Sequence, residues 1–593
     1  MRCIVAITDI ERERGLVDVA VALSAGDEVT LASVIEVPEG ETLASAQTEA
    51  RRQRRAMRAL ERPAVRVHVT VARRGWAAIA ELVAKERPDL LLVAWRRPGW
   101  DFLGTTIEDV LRDPPCDVAV VKGSFSRAKR LLVPVRGGRY ARLATSLATA
   151  FAHARDGSVT LLHVEPRRDQ PRPSLYQLVG DLASDDRVEQ LLTRVGDAAA
   201  VIAEESAAHD ALVIGATGRE GSDPLGPIGH LAVRGAKPVL LVRTRVSVAS
   251  TVFSTRAPLP ADRAQRSAAV GELVDTWFVE NTFSSSEFAD LGKLVREKER
   301  QGVRVSVVLP TLNEAATIQK VIRAIRTRLV ERFPLVDELI VMDSDSADRT
   351  REIAAAEGVP VHIHQHTLTE YGAHRGKGEA MWKSLHVTTG DIVVWVDTDI
   401  ANIHPKFVYG IVGPLLLHPR LQFVKAFYQR PLHFGQELQA TGGGRVTELT
   451  ARPILNLFYP ELSGMVQPLS GEQGGRRSLL EQLPFFTGYG VETGLLIDTM
   501  QRSGVGVIAQ VDMRQRIHRN QSLYSLSKMS FEILQVALKR VGEGRGVRWE
   551  EANSTMKLIL PGEDGRLQLT LEDLVPIERP PIATIPAYAD RRA

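Results

Sequence analysis

The sequence predicts an α/β protein that contains more than one parallel β-sheet. Its 593 residues exceed what a single hydrophobic core ordinarily holds, so three or four units are expected. Short β-branched segments alternate with helical patterns in residues 1–122, in residues 128–245 and again from residue 303 onward. This alternation is typical of parallel strands joined by helices. Acidic clusters follow strands of the third segment, and we expect the chemistry to lie there.

Composition and charge exclude several classes of protein. Hydrophobic residues make up 44% of the chain and charged residues 25%, as in ordinary globular proteins. The formal net charge of +3 gives no overall basic field, so we expect neither a nucleic-acid partner nor a membrane. The two cysteines, Cys3 and Cys116, exclude a disulfide framework and a multi-cysteine zinc site. The apolar run at the N-terminus stops at Asp9, unlike a signal peptide, and we expect a cytoplasmic protein.

The first two segments repeat one layout of apolar strands. In the first segment these strands lie at residues 3–7, 90–94 and 118–121, and in the second at residues 130–135, 211–215 and 238–242. The order and spacing are the same in both. The sequence therefore predicts an internal duplication.

Both halves resemble the universal stress protein family, a flavodoxin-like nucleotide-binding fold. The second half carries Gly215-Ala216-Thr217-Gly218 and then Gly229-His230. Members that bind ATP have GxxG, nine residues, and Gly-Ser or Gly-Thr, so the resemblance implies an ATP or AMP site at residues 215–230. Here the spacing is ten, His230 replaces the hydroxyl, and Arg136 stands where the family usually has an acid. The first half has no glycines at residues 94–97, and these departures count against nucleotide binding in both halves.

Changes in composition divide the rest of the chain. Residues 246–260 are rich in Ser, Thr, Ala and Pro and predict a linker. From Glu578 the composition favours an extended or loose tail. The predicted divisions are a domain at 1–126, a second at 127–245, a linker and helix at 246–282, a third α/β domain at 283–555 and a C-terminal extension at 556–593.

Two polar segments follow predicted strands of the third domain. Residues 304–309 form a strand by composition and end in Pro310-Thr311-Leu312-Asn313-Glu314. The next strand, residues 338–342, ends in a cluster of short polar side chains at residues 343–348. Such turns hold ligands in α/β sheets. Each of them alone is more often a helix cap.

A pair of carboxylates follows a third strand. Residues 391–396 run into Asp397-Thr398-Asp399, and residues two apart on an extended backbone point the same way. Two like charges at the carboxyl end of a sheet repel, and a divalent cation such as Mg²⁺ or Mn²⁺ would neutralise them and bind phosphate oxygens. Aspartate pairs at strand ends commonly only cap turns. The position after an apolar strand and two polar turns favours the metal interpretation.

Residues 283–523 resemble the glucosyl-3-phosphoglycerate synthase family, retaining glycosyltransferases of the GT-A fold. The resemblance implies that residues 283–555 are a GT-A domain that transfers glucose from UDP-glucose to 3-phosphoglycerate, in the pathway to glucosylglycerate. The matching stretches are Pro310 to Glu314, Val336 to Asp348, Arg375 to Ala380, Val396 to Asp399, Thr441 to Leu449, Gly488 to Glu492 and His518-Arg519-Asn520.

The resemblance also implies roles for individual residues. The uracil and ribose would contact Pro310, Leu312, Glu314 and Ser344, and Lys377 would face the nucleotide. Asp397 would hold ribose or a metal-bound water, while Asp399 and His518 would ligate the metal. The donor hexose would contact Tyr489 and Glu492. On this interpretation the catalytic residues are Asp399, Lys377 and Glu492.

The acceptor site is predicted from Gly443-Gly444-Arg445-Val446-Thr447. Glycines let backbone N–H groups approach an anion, and arginine offers a planar fork that matches phosphate. The resemblance assigns 3-phosphoglycerate to Gly444, Arg445, Thr447 and Asn520. The alternative is an ordinary glycine-rich loop that leads into the helix at residues 446–457.

Two further functions stay open. One is transfer of mannose from GDP-mannose to the same acceptor, and the other is a nucleotide-sensing stress protein whose transferase half is inactive. The family's Asp-Ser-Asp reads Asp397-Thr398-Asp399 here, a small change at a position that faces away from the metal. Both resembled families commonly dimerise, and a homodimer is expected.

Overall fold

The structure is a computed structural model of the chain. It describes all residues except 63, 97–100, 137–138, 166–184, 217–222, 246–262, 430–431, 435–436, 440–443, 518–521, 546–552, 562–565 and 593. The chain forms two compact units, Met1–Arg266 and Ser267–Ala593. Both are α/β units, as the sequence predicts.

The first unit is built on a sheet of ten strands. They are β1 Cys3–Ala6, β2 Val29–Glu36, β3 Val65–Ala72, β4 Leu90–Ala94, β5 Asp117–Lys122, β6 Arg130–Pro134, β7 Ser158–Glu165, β8 Val188–Val195, β9 Ala211–Gly215 and β10 Val239–Arg243. Their order is β3-β2-β1-β4-β5-β10-β9-β6-β7-β8. The strands are parallel within each half, and β5 and β10 join the halves in antiparallel register, with Val120 opposite Leu241. Both halves have the same strand order, as the predicted duplication requires.

Helices pack on this sheet over a core of branched aliphatic side chains. In β4 the residues Leu90 to Val93 are fully buried, which suits a parallel strand with helices on both faces. The helices are Ile10–Ser24, Gln47–Met57, Gly75–Glu86, Ile107–Arg112, Arg139–Arg155, Ala198–Ser206 and Gly226–Arg234, with short 3₁₀ turns at Leu43–Ala46 and Arg58–Leu60.

Side chains of the first half close the carboxyl end of β1 and β4. Arg96 follows β4 and forms a 2.5 Å ion pair with the buried Glu13. Glu13 in turn accepts hydrogen bonds from the backbone N–H and the hydroxyl of Thr8. In the second half His230 pairs with Asp223 at 2.6 Å, whereas residues 217–218 of the predicted glycine motif lie outside the described residues.

The second unit contains a mixed sheet of eight strands and three two-stranded sheets. The strands are β11 Thr282–Ser284, β12 Val305–Thr311, β13 Glu338–Asp343, β14 Val361–Ile363, β15 Ile392–Trp395, β16 Phe423–Gln429, β17 Leu432–Phe434, β18 Glu437–Gln439, β19 Gln473–Arg476, β20 Phe485–Phe486, β21 Ile508–Gln515, β22 Thr555–Pro561, β23 Leu567–Asp573 and β24 Glu578–Arg579. The large sheet has the order β11-β21-β16-β19-β15-β12-β13-β14, and β19 is antiparallel to both of its neighbours.

Two hydrophobic clusters cover the two faces of the large sheet. Val307 and Val394 belong to one cluster, Val308 and Trp395 to the other, because side chains alternate along each strand. The α-helices are Arg263–Asn281, Leu291–Gln301, Ile318–Ile325, Thr350–Ala356, Lys377–Val387, Lys406–Leu417, Arg452–Phe458, Arg477–Leu480, Val491–Ser503, Leu523–Arg545 and Pro586–Arg592. The π-helical segments Arg326–Arg332 and Thr447–Ala451 and the 3₁₀ turns Ser285–Phe288, His364–His366, Thr369–Tyr371, Pro460–Leu462, Val505–Val507 and Ile582–Thr584 complete the unit.

The C-terminal segment packs on the second unit, so the predicted loose tail is wrong. Strand β24 pairs with β20, and Ile582 is fully buried in the core. The guanidinium of Arg579 binds both carboxylate oxygens of the buried Glu379, at 2.6 and 2.7 Å. These contacts replace the hydration that a proline-rich tail would otherwise have. Among the described residues, no helix combines the length and the apolar character that crossing a membrane requires.

Candidate active site

A cavity of about 440 Å³ lies at the carboxyl ends of β12, β13 and β15. Ligands of open α/β sheets bind at this edge. Each strand ends in a polar turn, and these three turns meet around the cavity. Its lining consists of Pro310, Thr311, Leu312, Glu314, Ser344, Arg375, Gly376, Lys377, Asp397, Thr398, Asp399, Gly488, Tyr489 and Glu532.

Most of the predicted donor residues lie in this lining. They come from distant parts of the sequence, and the fold brings them to one cavity: Pro310, Leu312, Glu314, Ser344, Lys377, Asp397 and Tyr489. The predicted metal ligand Asp399 lines the same cavity. Glu492 lies directly behind them, because its carboxylate is 3.3 Å from the amine of Lys377. Their roles toward a ligand stay predictions.

The acidic pair follows β15 in the orientation that the sequence predicts. Asp397 and Asp399 both line the cavity. Between them Thr398 also belongs to the lining, is buried, and donates its hydroxyl hydrogen to the carbonyl of Pro310 at 3.2 Å. The threonine therefore ties the acidic turn to the end of β12.

Lys377 starts the helix Lys377–Val387 and reaches across the cavity floor. Its amine donates to Asp397 Oδ1 at 2.5 Å and to the carbonyl of Gly471 at 3.2 Å. Burial disfavours the charged amine, but Asp397 and Glu492 outweigh this effect and raise the pKa of Lys377 above its ordinary value. The lysine is therefore a permanent cation at this site.

Arg516 is the second cation at the acidic pair, and sequence reasoning missed it. It follows β21, and its Nη2 lies 2.5 Å from Asp399 Oδ1 and 3.1 Å from Asp397 Oδ2. Burial would raise the pKa of Asp397, yet Lys377 and Arg516 outweigh it and hold that pKa below its ordinary value. Arginine thus neutralises the charge for which the sequence predicted a metal.

A buried polar layer lies beneath the pair. Glu472 is fully buried, and its carboxylate accepts hydrogen bonds from Tyr428 at 2.8 Å and from Arg516. Burial raises the pKa of Glu472. Next to it the buried amine of Lys425 donates to the carbonyl of Ser470 and to Gln473 Oε1, and burial lowers the pKa of Lys425 to about 7.

Two glycines allow the backbone to approach these side chains. At Gly471 a β-carbon would overlap Asp397 Oδ2 and Lys377 Nζ, so a larger residue there would displace these side chains. Gly376 precedes the helix of Lys377 with a φ of +114°, and a β-carbon there would overlap the carbonyl of Thr487.

Glu532 is a further residue that the sequence did not reveal. It lies on the helix Leu523–Arg545, lines the cavity, and accepts a 2.7 Å hydrogen bond from the backbone N–H of Tyr489. Burial raises the pKa of this carboxyl group, and neighbouring Glu492 adds to the effect. Glu532 therefore fixes the turn that carries Tyr489.

Three of the four predicted acceptor residues are described, and they are not in the cavity lining. Gly444 has a φ of +92°, Arg445 is exposed and Thr447 is buried. His518 and Asn520, predicted to bind the metal and the acceptor, lie outside the described residues.

The missed residues gave weak signals in the sequence. Arg516 stands two positions before the predicted ligand His518, and a cation there could have been weighed as a partner of the acids. Glu472 and Glu532 sit in an ordinary loop and in an ordinary helical pattern, and their roles follow from folding alone.

Two family models match the chain. The model of glycosyl transferase family 2 matches residues 306–473, which contain the three polar turns. The model of the universal stress protein family matches residues 1–122. That match covers the half whose glycines are missing.

Curated relatives match about half of the chain. A glucosyl-3-phosphoglycerate synthase of Petrotoga mobilis is 48% identical over 313 residues, which is 53% of this chain and 96% of the relative. The protein of the same name from Mycobacterium tuberculosis is 51% identical over 249 residues, 42% of this chain and 76% of the relative. That of Mycolicibacterium smegmatis is 43% identical over 289 residues, 49% of this chain and 92% of the relative.

Solved structures align with about half of the chain. The crystal structure of mannosyl-3-phosphoglycerate synthase from Rubrobacter xylanophilus is 39% identical with a TM-score of 0.48, and covers 52% of this chain and 97% of that one. The glucosyl-3-phosphoglycerate synthase of Mycobacterium tuberculosis, in complex with Mn²⁺, UDP and glucosyl-3-phosphoglycerate, is 44% identical with a TM-score of 0.43. It covers 49% of this chain and 95% of that one.

Proposed function

The chain belongs to the glucosyl-3-phosphoglycerate synthase family, and from this premise we propose that it transfers glucose from UDP-glucose to 3-phosphoglycerate with retention of configuration. One observation carries the proposal. The donor residues implied by the family, from Pro310 to Tyr489, surround one cavity at the strand ends together with the acidic pair. The residues 267–593 supply this activity.

The nucleoside occupies the side of the cavity formed by the first two turns. Pro310, Leu312 and Glu314 follow β12, and Ser344 follows β13. The half-exposed Leu312 offers an apolar surface to the uracil, and Glu314 and Ser344 offer hydrogen bonds to uracil and ribose. An apolar surface next to hydrogen-bonding groups supports a uridine nucleotide as the donor.

The residues at the acidic pair fit a divalent cation. Asp399 is one third exposed at the cavity, and one of its carboxylate oxygens has no hydrogen bond among the described residues. Carboxylate oxygen is the donor that Mg²⁺ and Mn²⁺ prefer. Asp399 and His518 would hold the ion, which would supply charge stabilisation to the leaving diphosphate.

Lys377 and Glu492 act at the reacting bond. The permanent charge of Lys377 lies on the cavity floor, where it stabilises negative charge that develops on the diphosphate. Glu492 orients Lys377 and, with Tyr489, holds hexose hydroxyls.

The acceptor hydroxyl attacks the anomeric carbon from the face of the leaving group. Its oxygen bonds to this carbon as the bond to the diphosphate oxygen breaks, and its proton passes to the diphosphate. Aligning the two substrates contributes much of the rate. Gly444, Arg445, Thr447 and Asn520 hold 3-phosphoglycerate, for which the exposed guanidinium of Arg445 is suited.

Release of nucleoside diphosphate tests the proposal. Purified protein with Mg²⁺ is given UDP-glucose or GDP-mannose, each with and without 3-phosphoglycerate. UDP release that depends on 3-phosphoglycerate is expected. Faster release from GDP-mannose would make the enzyme a mannosyltransferase, and binding without release would favour a nucleotide-sensing stress protein.

We also propose that the protein is a cytoplasmic homodimer. Strands β22 and β23 form a hairpin with an apolar face on which Ile559, Leu569 and Leu571 are exposed. Antiparallel pairing of β23 with the same strand of a second copy, centred on Leu569, would bring the exposed leucines of the two copies together. An edge strand that carries exposed leucines supports a second copy as the partner.

A further inference from the structure

Arg516 occupies the space between the two carboxylates of the acidic turn. A single nitrogen, Nη2, lies within 3.1 Å of both Asp397 and Asp399, and the side chain is only 4% exposed. The arrangement differs from a surface ion pair, because the guanidinium is buried from water and can adopt few other conformations.

Buried groups fix the opposite side of the guanidinium. Its Nη1 donates to the hydroxyl of Tyr428 at 2.6 Å and lies 3.0 Å from Glu472 Oε1. The guanidinium carbon also stands 5.3 Å from the centre of the Tyr428 ring. Glu472 and Tyr428 therefore hold Arg516 from behind while it faces the cavity.

Three bases accompany four acids around the pair. Asp397, Asp399, Glu472 and Glu492 are acids, and Lys377, Arg516 and Lys425 are bases within the same cluster. Lys377 bonds to Asp397 alone of the pair. Arg516 is thus the one base of this set that shares Asp399, the predicted metal ligand.

We propose that Arg516 is a positioning residue that acts as the resident counter-ion of the acidic pair and competes with the divalent cation for Asp399, with Glu472 setting the strength of that competition. The inference rests on the proposed function, since it takes Asp399 as the metal ligand. A guanidinium and a divalent cation that share one carboxylate would repel each other in a partly dry site.

Opposite signs are expected for two neutralising variants. Arg516→Gln removes the competitor, so Mn²⁺ binds roughly tenfold or more tightly. Glu472→Gln removes the charge that draws Arg516 back, so the arginine bonds more strongly to the acidic pair and Mn²⁺ binds more weakly, by about threefold or more. A merely structural role would weaken Mn²⁺ binding in both variants.

The measurement is a titration of the full chain with Mn²⁺ alone, in which electron paramagnetic resonance reports the free ion. No nucleotide is present, so the result is independent of which donor and acceptor the enzyme uses. Arg514→Gln, an exposed arginine on β21, is the matched control and should leave Mn²⁺ affinity unchanged.

Thermal unfolding identifies variants that fail to fold. If Arg516→Gln fails to fold, Arg516→Lys takes its place. The lysine keeps the charge but loses the forked N–H groups of the guanidinium, and Mn²⁺ should bind more tightly than to wild type by a smaller factor than is expected for Arg516→Gln. Unchanged or weaker Mn²⁺ binding by the folded Arg516 variant, or binding by neither variant nor wild type, would overturn the proposal. Tight Mn²⁺ binding by a protein that shows no transfer would leave it standing while the proposed function failed.

Discussion

At the residue scale, the chemistry centres on a carboxylate that faces both a cation and the cavity. Asp399 accepts a hydrogen bond from Arg516 on Oδ1, and the residue lines the cavity. Its neighbour Asp397 is more enclosed, since Lys377 and Arg516 bond to its two oxygens. The two acids of the turn therefore differ in their contacts, and Asp399, the proposed metal ligand, is the more exposed of the two.

Asp399→Asn should abolish most of the transferase activity. The amide keeps the shape of the side chain but loses the charge that holds a divalent cation, and kcat/KM should fall by about 100-fold or more. Initial rates of UDP release at saturating Mg²⁺ measure the effect. Asp590→Asn, at an exposed site in the C-terminal helix, should match wild type. Near-normal turnover of Asp399→Asn would show that this carboxylate does not hold the metal.

Lys425 predicts a dependence of stability on pH. Its pKa is about 7 in the folded protein and near 10.5 in the unfolded chain, so the unfolded state binds the extra proton between these values. Stability therefore rises with pH in that window, by up to about 1.4 kcal/mol per pH unit for one proton. Denaturant unfolding of wild type and Lys425→Met from pH 7 to 9.5 tests it. The free-energy difference should shift in favour of wild type as pH rises, and a constant difference would contradict the assignment.

Some residues of the site could be predicted from the sequence and others could not. Asp397 and Asp399 could be predicted because their spacing alone places both side chains on one side of a strand end. Glu472 and Arg516 could not, because their partnership joins residues 44 positions apart that meet only after β16, β19 and β21 assemble. Charged residues that pair over long distances in the sequence leave no periodic pattern by which the pairing could be predicted.

At the element scale, the segment before β19 contacts the basic side chains of the site. Successive residues there serve different partners: Ser470 accepts from Lys425, Gly471 from Lys377, and Glu472 binds Arg516. Strand β19 is antiparallel to both neighbours, so this segment enters the site from the opposite direction to the three polar turns. The segment therefore bounds the site on the side of the buried polar layer.

Gly471→Ala should damage the site without unfolding the protein. The added methyl group overlaps Asp397 Oδ2 and Lys377 Nζ, so the ion pair must separate, and kcat should fall by about tenfold or more. Gly506→Ala is the control, because a β-carbon there meets no atom within 4 Å. Rates of UDP release and thermal unfolding are compared for both variants. Wild-type rates in Gly471→Ala would mean that this segment is more yielding than its geometry indicates.

Strands could be predicted where nearly all of their residues are apolar. The buried strands β12, β13 and β15 fall where β-branched runs predict them, because strands covered on both faces are apolar throughout. The C-terminal segment could not be predicted, since a proline-rich run has no periodicity to reveal burial. The position of the C-terminal segment depends on the ion pair between Arg579 and Glu379. These two residues are distant in the sequence, so no local pattern reveals that they pair.

At the scale of the whole molecule, the chain joins two α/β units of different lineage. The curated relatives cover about half of it and the glycosyl transferase family 2 model matches residues 306–473, whereas the stress-protein model matches residues 1–122. The duplication of the first unit could be predicted from repeated strands. Its continuous ten-stranded sheet could not, because the antiparallel contact of β5 with β10 leaves no mark on either repeat.

The β22–β23 hairpin predicts how the molecule associates. Leu569 is 62% exposed at the centre of β23, and pairing with a second copy would bury it with Leu571. The double variant Leu569→Glu, Leu571→Glu places four like charges in that contact and should convert a dimer into a monomer. Sedimentation velocity over a range of concentrations measures this, with Leu457→Glu, an exposed leucine outside the hairpin, as the control that stays dimeric. A monomeric wild type would refute the homodimer, and a dimeric double variant would place the interface elsewhere.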